Sequence, residues 1–217
     1  SLEGKVMTDE LEPIHCFPTT IYAVKKPEFL DTVRLVVDEY IEKRKSEQGQ
    51  PNEVYPVHMT DSLLEDPRLG DFCSYIGSTA WNILGSQGYD MPKFSTTFTE
   101  MWGQHHYKYS GMDQHVHPYG SQIIGFYFIR TPKNGSAAIF HDPRAGKVQA
   151  SLPEFDMKQI SGASNSINIV PEEGTMIFTN AWLPHSFSRN GSEEAMTFIH
   201  FNLGVIVNPP AEAAEVI

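Results

Sequence analysis

The chain has 217 residues, 40% of them hydrophobic, which is enough to bury the core of one domain. Its 16 basic and 27 acidic residues give a formal net charge of −11, which argues against general nucleic-acid binding, because phosphate recognition needs basic surface. Two cysteines without a C-x-x-C motif, the lack of an apolar N-terminal signal and the lack of an apolar run of membrane-spanning length together predict a cytoplasmic protein.

The first 93 residues predict one early strand followed by helices. β-Branched and aromatic residues between prolines predict a strand over 16–27. Apolar residues recur at helical spacing in 27–49, which predicts an amphipathic helix that ends at a basic turn and a glycine. The same spacing predicts a second helix over 71–88, whereas 50–60 is predicted to be irregular. We expect these helices to pack on one side of a sheet.

From residue 94 onward the pattern changes to short strands separated by turns. The predicted strands lie in 94–111, 121–132, 137–144 and three segments of 164–207. Asn134 and Gly135 form the strongest short hairpin signal. Helices before strands indicate an α+β fold built on a sandwich or jelly roll. We therefore predict a single domain over 1–217, with a helical buttress (1–93), a jelly-roll core (94–207) and a loosely held tail (208–217).

Three histidines stand where the predicted strands end. In the stretch HVHPYGSQIIGFYFIR, His115 and His117 are two residues apart, so in a strand they point to the same face. His185 follows a later apolar strand. Alone, an H-x-H pair is a weak signal that surface histidines also produce. A jelly roll can bring such strand ends together into a three-ligand cap that leaves open positions on a metal, although imidazole suits iron, copper, nickel and zinc alike.

Several segments together carry a family resemblance. HVHPYG, GFYFI, NGSAAIFHDPR, VPEEGTMIFTNAWLPHSF and FIHFN, within residues 100–204, resemble uncharacterised bacterial and phage proteins of the 2-oxoglutarate and Fe(II)-dependent oxygenase family. Prolyl hydroxylases are more distant relatives. The resemblance implies a double-stranded β-helix, a cupin-like jelly roll, whose major sheet is buttressed by the helices. It also implies a dioxygenase that hydroxylates an unknown small-molecule or peptide substrate, with Fe(II) bound by His115, His117 and His185.

The sequence departs from the family in the third metal ligand. Better-known relatives have a carboxylate where His117 stands. If His117 is not a ligand, the nearest carboxylate candidates are Asp113, two residues before His115, and Asp142 in FHDPR. The sequence leaves this choice open.

A second departure concerns the residue that binds the co-substrate. Relatives usually carry an arginine about ten residues after the late histidine, where this chain has Ala195 and Met196. Arg130 is our leading replacement, because it lies fifteen residues after His115, about the spacing at which the asparaginyl hydroxylase and JmjC-type relatives implied by the resemblance place a co-substrate lysine. A bidentate arginine–carboxylate contact is the physical requirement, whichever arginine supplies it. Further candidates for co-substrate binding are Tyr107, Ser121, Tyr127, Arg144 and Arg189.

Charge counting connects the two departures. Fe(II) with two histidines and one carboxylate carries a charge of +1, and an arginine brings the total to +2, which balances the 2-oxoglutarate dianion. Fe(II) with three neutral histidines already carries +2. The hypothesis is that His117→Asp weakens co-substrate binding unless an arginine is restored near Met196.

Other functional classes stay open at this stage. The alternatives are a cupin-like three-histidine metalloenzyme without 2-oxoglutarate and a non-catalytic β-sandwich binding module. A homodimer is also compatible with the sequence, which does not identify the substrate that is oxidised.

Overall fold

A computed structural model describes residues 10–117 and 120–209 of the chain. Most of the predicted tail (208–217) therefore lies outside the described residues. The strands are β1 (Ile21–Lys25), β2 (Val57–Met59), β3 (Phe94–His106), β4 (Met112–His115), β5 (Ser121–Arg130), β6 (Ala138–His141), β7 (Ser166–Ile169), β8 (Thr175–Asn180), β9 (His185–Phe187) and β10 (Met196–Val207). The helices are α1 (Leu30–Gln48), α2 (Gly70–Ser86) and α3 (Ala145–Gln149), with 3₁₀ turns at Pro27–Phe29, Pro67–Leu69 and Met91–Lys93.

The strands form two antiparallel sheets, as the jelly-roll prediction requires. The major sheet has the order β1-β8-β5-β10-β3-β2, and the minor sheet has the order β4-β9-β6-β7. Aromatic side chains from both sheets meet between them: Phe126 and Phe198 come from the major sheet, and Phe140 and Phe187 from the minor sheet. This is the double-stranded β-helix, and its mainly apolar filling is the inner core of the protein.

The two long helices cover the outer face of the major sheet. The predicted helices over 27–49 and 71–88 are confirmed as α1 and α2. The C-cap of α1 is Gly49, whose φ of +73° is costly for residues with a Cβ atom. A continuous apolar core joins the helices to the sheet, so the N-terminal part buttresses the jelly roll.

Alternation along β5, up to the point near Ile129 where its register with β10 shifts, decides which side chains face the inner core. Ile124, Phe126 and Phe128 belong to the inner core, whereas Tyr127 and Ile129 belong to the core under the helices. Because successive side chains in a strand point to opposite faces, a residue's position in this alternation fixes whether it can reach a site inside the barrel.

Three predictions of local structure were wrong. Residues 50–60 contain β2, which pairs with β3 at the sheet edge. The segment 164–207 contains four strands rather than three, because β8 and β9 are separate. The turn at Asn134, whose φ is +63°, joins β5 to β6 in the other sheet and so does not make a hairpin. Within the described residues, no helix is both long and apolar enough to cross a bilayer.

Candidate metal centre

Neighbouring strand ends of the minor sheet bring the three histidines together. His115 is the last residue of β4 and His185 is the first residue of β9, and the two pair directly across the ladder. His117 lies beyond the end of β4, where its N–H donates to the carbonyl of Ala181 at 3.0 Å. The segment between β8 and β9 thus fixes the backbone of His117 beside the other two histidines.

Their ring nitrogens are spaced as ligands of one metal ion would be. One nitrogen from each of His115, His117 and His185 lies within 4.8 Å of the others. The Nε2 atoms of His117 and His185 are 3.3 Å apart. Metal–nitrogen bonds of about 2.1 Å place neighbouring nitrogen ligands roughly 3.0–3.4 Å apart in octahedral or tetrahedral geometry. The observed separation fits two ligands of a shared ion.

Backbone carbonyls orient two of the rings for this role. Nδ1 of His115 lies 2.7 Å from the carbonyl oxygen of Asp113, and Nδ1 of His185 lies 3.0 Å from that of Leu183. A carbonyl only accepts, so each Nδ1 carries the hydrogen and each Nε2 keeps a free lone pair. Histidines that bind metals are commonly oriented in this way by a group on the other nitrogen.

The protein environment keeps two of the three rings, those of His117 and His185, neutral, as metal binding requires. Burial lowers the pKa of His185 to about 3, and it lowers the pKa of His117 to about 4. Neutral imidazoles at neutral pH offer their Nε2 lone pairs without first losing a proton. A set of three imidazole nitrogen donors suits Fe(II) and other divalent transition metals.

The wall beside the histidines carries further polar groups on the inner face of the major sheet. The His200 ring is 4.8 Å from that of His117 and 4.9 Å from that of Trp102, measured between centroids. Asn202 donates from Nδ2 to Glu100 at 2.8 Å, and the same amide lies 3.2 Å from Nδ1 of His117. The amide therefore contacts the non-ligating nitrogen of the third candidate ligand.

The structure places neither carboxylate candidate in the metal cluster. Among the described residues, one group of three or more side chains is close enough together to bind a shared metal ion, and it consists of the three histidines. Asp142 is 2.9 Å from Arg144 in an ion pair. Asp113 contributes only its backbone carbonyl, to His115. The geometry thus favours His117 over a carboxylate as the third ligand.

Arg130 and Tyr127 lie on the opposite face of β5 from the histidines, which corrects the prediction that they bind the co-substrate. Arg130 donates to both carboxylate oxygens of Asp38 on α1, at 2.7 and 2.6 Å. The hydroxyl of Tyr127 donates to the carbonyl of Lys26 at 2.8 Å. Spacing along the chain had suggested Arg130. The register of β5 with β10 shifts just before this residue, between the pairings of Thr197 and Phe198, and this irregularity and the acidic partner on α1 turn Arg130 toward the helices.

The remaining co-substrate candidates also have other partners. The hydroxyl of Tyr107 lies 2.8 Å from Nδ1 of His58, on the side of α1. Exposed Arg189 donates to the carbonyl of Tyr109 at 3.3 Å. Ser121, at the start of β5, lies 3.4 Å from Thr99 between hydroxyl oxygens. None of these contacts joins the candidates to the three histidines.

Sequence reasoning overlooked the inner wall formed by His200 and Trp102. The signal was present: Phe198, His200 and Asn202 alternate along β10, and two of the three are polar in a strand that is otherwise apolar. In a strand with both faces buried, a polar residue needs a partner. That pattern could have identified His200 as a site residue before the structure did.

Comparison with known proteins agrees with this geometry. Residues 100–202 match the model of a family described as "Putative 2OG-Fe(II) oxygenase", and this segment contains all three histidines. No curated protein matches the chain.

Solved structures share the fold at low sequence identity. AviO1 from Streptomyces viridochromogenes has a TM-score of 0.59 and 10% identity, over 89% of this chain and 93% of its own. A prolyl-4-hydroxylase from Pseudomonas putida has a TM-score of 0.54 and 9% identity, over 85% and 92%. HygX from Streptomyces hygroscopicus, solved with nickel, 2-oxoglutarate and hygromycin B, has a TM-score of 0.54 and 12% identity, over 86% and 83%. At these identities the similarity establishes the double-stranded β-helix.

Proposed function

We propose that the chain, whose residues 100–202 match the 2OG-Fe(II) oxygenase family model, is a member of this family and that His115, His117 and His185 hold its Fe(II). The protein is an oxidoreductase that depends on Fe(II) and 2-oxoglutarate. When bound, the iron and the co-substrate supply the oxidising chemistry that activates O₂ against a C–H bond of the substrate.

The observation that carries the proposal is the convergence of three imidazole nitrogens, one from each histidine, within 4.8 Å of one another. The 3.3 Å separation of the Nε2 atoms of His117 and His185 allows a hydrogen bond between the rings, and it also matches the spacing of two nitrogen ligands of one cation. Carbonyl partners on Nδ1 of His115 and His185 keep the Nε2 lone pairs of those two rings available to a metal ion. The fit between donor set and metal rests on these contacts.

The protein around the site orients the ligands and excludes water. Phe126 and Phe140 lie against the His185 ring, with centroids 5.6 and 6.3 Å away, so bulk water does not reach that ligand from the core side. His115 and His117 are only partly buried, which leaves the opposite side accessible to a substrate. An open face on a metal held by three protein ligands is what a reaction with O₂ and two organic molecules needs.

The test is conversion of 2-oxoglutarate to succinate, which does not require the unknown substrate when turnover is uncoupled. Purified protein with Fe(II) and O₂ is expected to release succinate, detected by NMR, and a chelator is expected to abolish the release. His185→Gln is expected to lose both bound iron and turnover, whereas His141→Gln, on the outer face of the minor sheet, is expected to retain both. A folded protein that binds iron and leaves 2-oxoglutarate intact would point to the cupin-like alternative.

The cellular setting follows from the chemistry of the chain. We place the protein in the cytoplasm, because Cys16 and Cys73 are both free thiols. Its substrate is a small molecule or a peptide rather than nucleic acid, because the chain carries a net charge of −11. Detection of a disulfide between the two cysteines in freshly isolated protein would contradict this location.

A further inference from the structure

Unsatisfied polar atoms cluster on the inner wall beside the candidate metal centre. Among the described residues, five buried side-chain nitrogen or oxygen atoms have no hydrogen-bond partner. Four of them belong to three residues: Nδ1 and Nε2 of His200, Nε1 of Trp102 and Oδ1 of Asn202. Buried polar groups in folded proteins are almost always paired, because leaving one unpaired is costly. Because four of the five atoms lie close together, we infer that this part of the wall binds a polar ligand.

Strand register explains why these atoms share one location. His200 pairs with Trp102 of β3 on one side and with Phe126 of β5 on the other. His200 is 1% exposed, so its ring lies almost wholly within the barrel. Asn202 is two residues further along β10 and therefore on the same face. The His117 ring is 4.8 Å from the His200 ring, which puts this cluster directly beside the metal ligands.

We propose that His200 and Trp102 bind the 5-carboxylate of 2-oxoglutarate through neutral N–H donors, in place of an arginine. The inference rests on the proposed function, since it assumes that 2-oxoglutarate is the co-substrate. Trp Nε1 can only donate, and a neutral imidazole donates from one nitrogen, so the pair presents two donors. The two oxygens of a carboxylate are acceptors that match them.

The 5-carboxylate is the group assigned to His200 and Trp102 because the other end of 2-oxoglutarate would bind the metal. The 1-carboxylate and keto oxygen of a 2-oxo acid are adjacent oxygen donors that can occupy the open positions of the metal. The 5-carboxylate is then left to the protein wall. Of the described candidates, Arg130 is engaged by Asp38 on the other face of the sheet. The inner wall offers His200 and Trp102 instead.

Neutral donors suffice if the metal already balances the ligand. Fe(II) with three neutral histidines carries a charge of +2, which equals the charge of the 2-oxoglutarate dianion. Glu100 does not oppose this arrangement directly, because Asn202 donates to its carboxylate at 2.8 Å. The third histidine and the missing arginine are in this view two parts of one adaptation.

The experiment measures 2-oxoglutarate binding by calorimetry on protein loaded with Mn(II) in the absence of oxygen, so that no turnover occurs. His200→Phe keeps a flat ring and removes both nitrogens, and Trp102→Phe removes only the indole N–H. We expect His200→Phe to raise the Kd for 2-oxoglutarate roughly tenfold or more, and Trp102→Phe roughly threefold to tenfold. Mn(II) affinity is expected to stay within about twofold, which a metal ligand would not allow.

Two comparisons make the result specific. His105→Phe is the matched control. His105 is on β3 like Trp102, but its side chain lies on the helical side of the major sheet, where its Nδ1 is 2.8 Å from the hydroxyl of Thr197. The ligand 2-oxopentanoate lacks the 5-carboxylate, so His200→Phe is expected to bind it as wild type does. If His200→Phe does not fold, as judged by circular dichroism, Trp102→Phe still carries the test.

The outcomes separate this inference from the proposed function. Wild-type protein that takes up Mn(II) and does not bind 2-oxoglutarate would refute the proposed function. Wild-type protein that binds 2-oxoglutarate, with both aromatic variants binding it equally well, would overturn the role of His200 and Trp102 alone. Loss of binding in those variants for 2-oxoglutarate but not for 2-oxopentanoate is the result that supports the inference.

Discussion

We expect the free energy of unfolding to fall measurably in mild acid because of the buried side chain of His106. Its Nε2 lies 2.8 Å from Oε1 of Gln104, and its Nδ1 lies 2.6 Å from the hydroxyl of Ser110. The neutral ring satisfies both contacts, by donating to the amide oxygen and accepting from the hydroxyl. Burial lowers the pKa of His106 from 6.5 to about 4, and the side chain is 2% exposed. The charged ring is therefore strongly disfavoured in the folded state.

The sign and size of the effect follow from proton linkage. Between pH 6.5 and 4 the unfolded chain binds a proton at this position that the folded chain does not, so the free energy of unfolding falls as the pH falls. Above pH 6.5 the contribution is fully present. From pH 6.5 to pH 5 the window is 1.5 units, which at about 1.36 kcal/mol per unit gives about 2 kcal/mol.

Urea unfolding of the metal-free protein at pH 7 and pH 5 measures this contribution. Wild type is expected to lose about 2 kcal/mol more than His106→Gln between these values, because glutamine does not titrate. Ser110→Ala is the control, since it removes a hydrogen bond and keeps the titrating ring. It is expected to be less stable at both pH values but to lose as much as wild type. Equal losses for wild type and His106→Gln would refute the reasoning.

Three further predictions concern packing, the corrected arginine and the metal charge. Gly125→Ala is expected to destabilise the fold by about 1–3 kcal/mol in urea unfolding, because a Cβ there would overlap the ring of Phe201 and the backbone of β8. Gly77→Ala in α2 is the control, because there is room for a Cβ at that position and no such destabilisation is expected. Equal stability of the two variants would contradict this account of the packing. Arg130→Gln is expected to cost about 1 kcal/mol of stability, since its ion pair is partly exposed, and to leave the Kd for 2-oxoglutarate unchanged; a large rise in that Kd would restore its predicted role. His117→Asp is expected to retain metal but to bind 2-oxoglutarate about tenfold more weakly, because the metal site loses one unit of positive charge; an unchanged affinity would reject the charge hypothesis.

The cluster of three histidines proposed to bind the metal could be predicted from the sequence because its signal is local. His115 and His117 lie close together at a strand end, and His185 follows a strand whose apolar run is clear. The jelly roll then brings these ends together, as cross-strand pairing of His115 with His185 shows. Helices α1 and α2 could also be predicted from the sequence, because each carries an uninterrupted helical repeat of apolar residues.

The polar residues of β10 marked His200 as a candidate, but which side chains meet it in the wall beside the histidines was not predictable by spacing, because that depends on which face each side chain takes. Arg130 is at a plausible distance along the chain from His115, but Asp38 on α1 holds it on the helical side. His200 is the fifth of the 12 residues of β10, and its contact with Trp102 arises only from the register of β10 with β3. Long-range register of this kind is not encoded in a short window of sequence.

The most direct test of the account is a structure of the Fe(II)-loaded protein grown without oxygen. We predict one iron bound by the Nε2 atoms of His115, His117 and His185, with the Nδ1 atoms of His115 and His185 still donating to their backbone carbonyls. An iron completed by the carboxylate of Asp113 or Asp142, or one bound away from these histidines, would contradict the account.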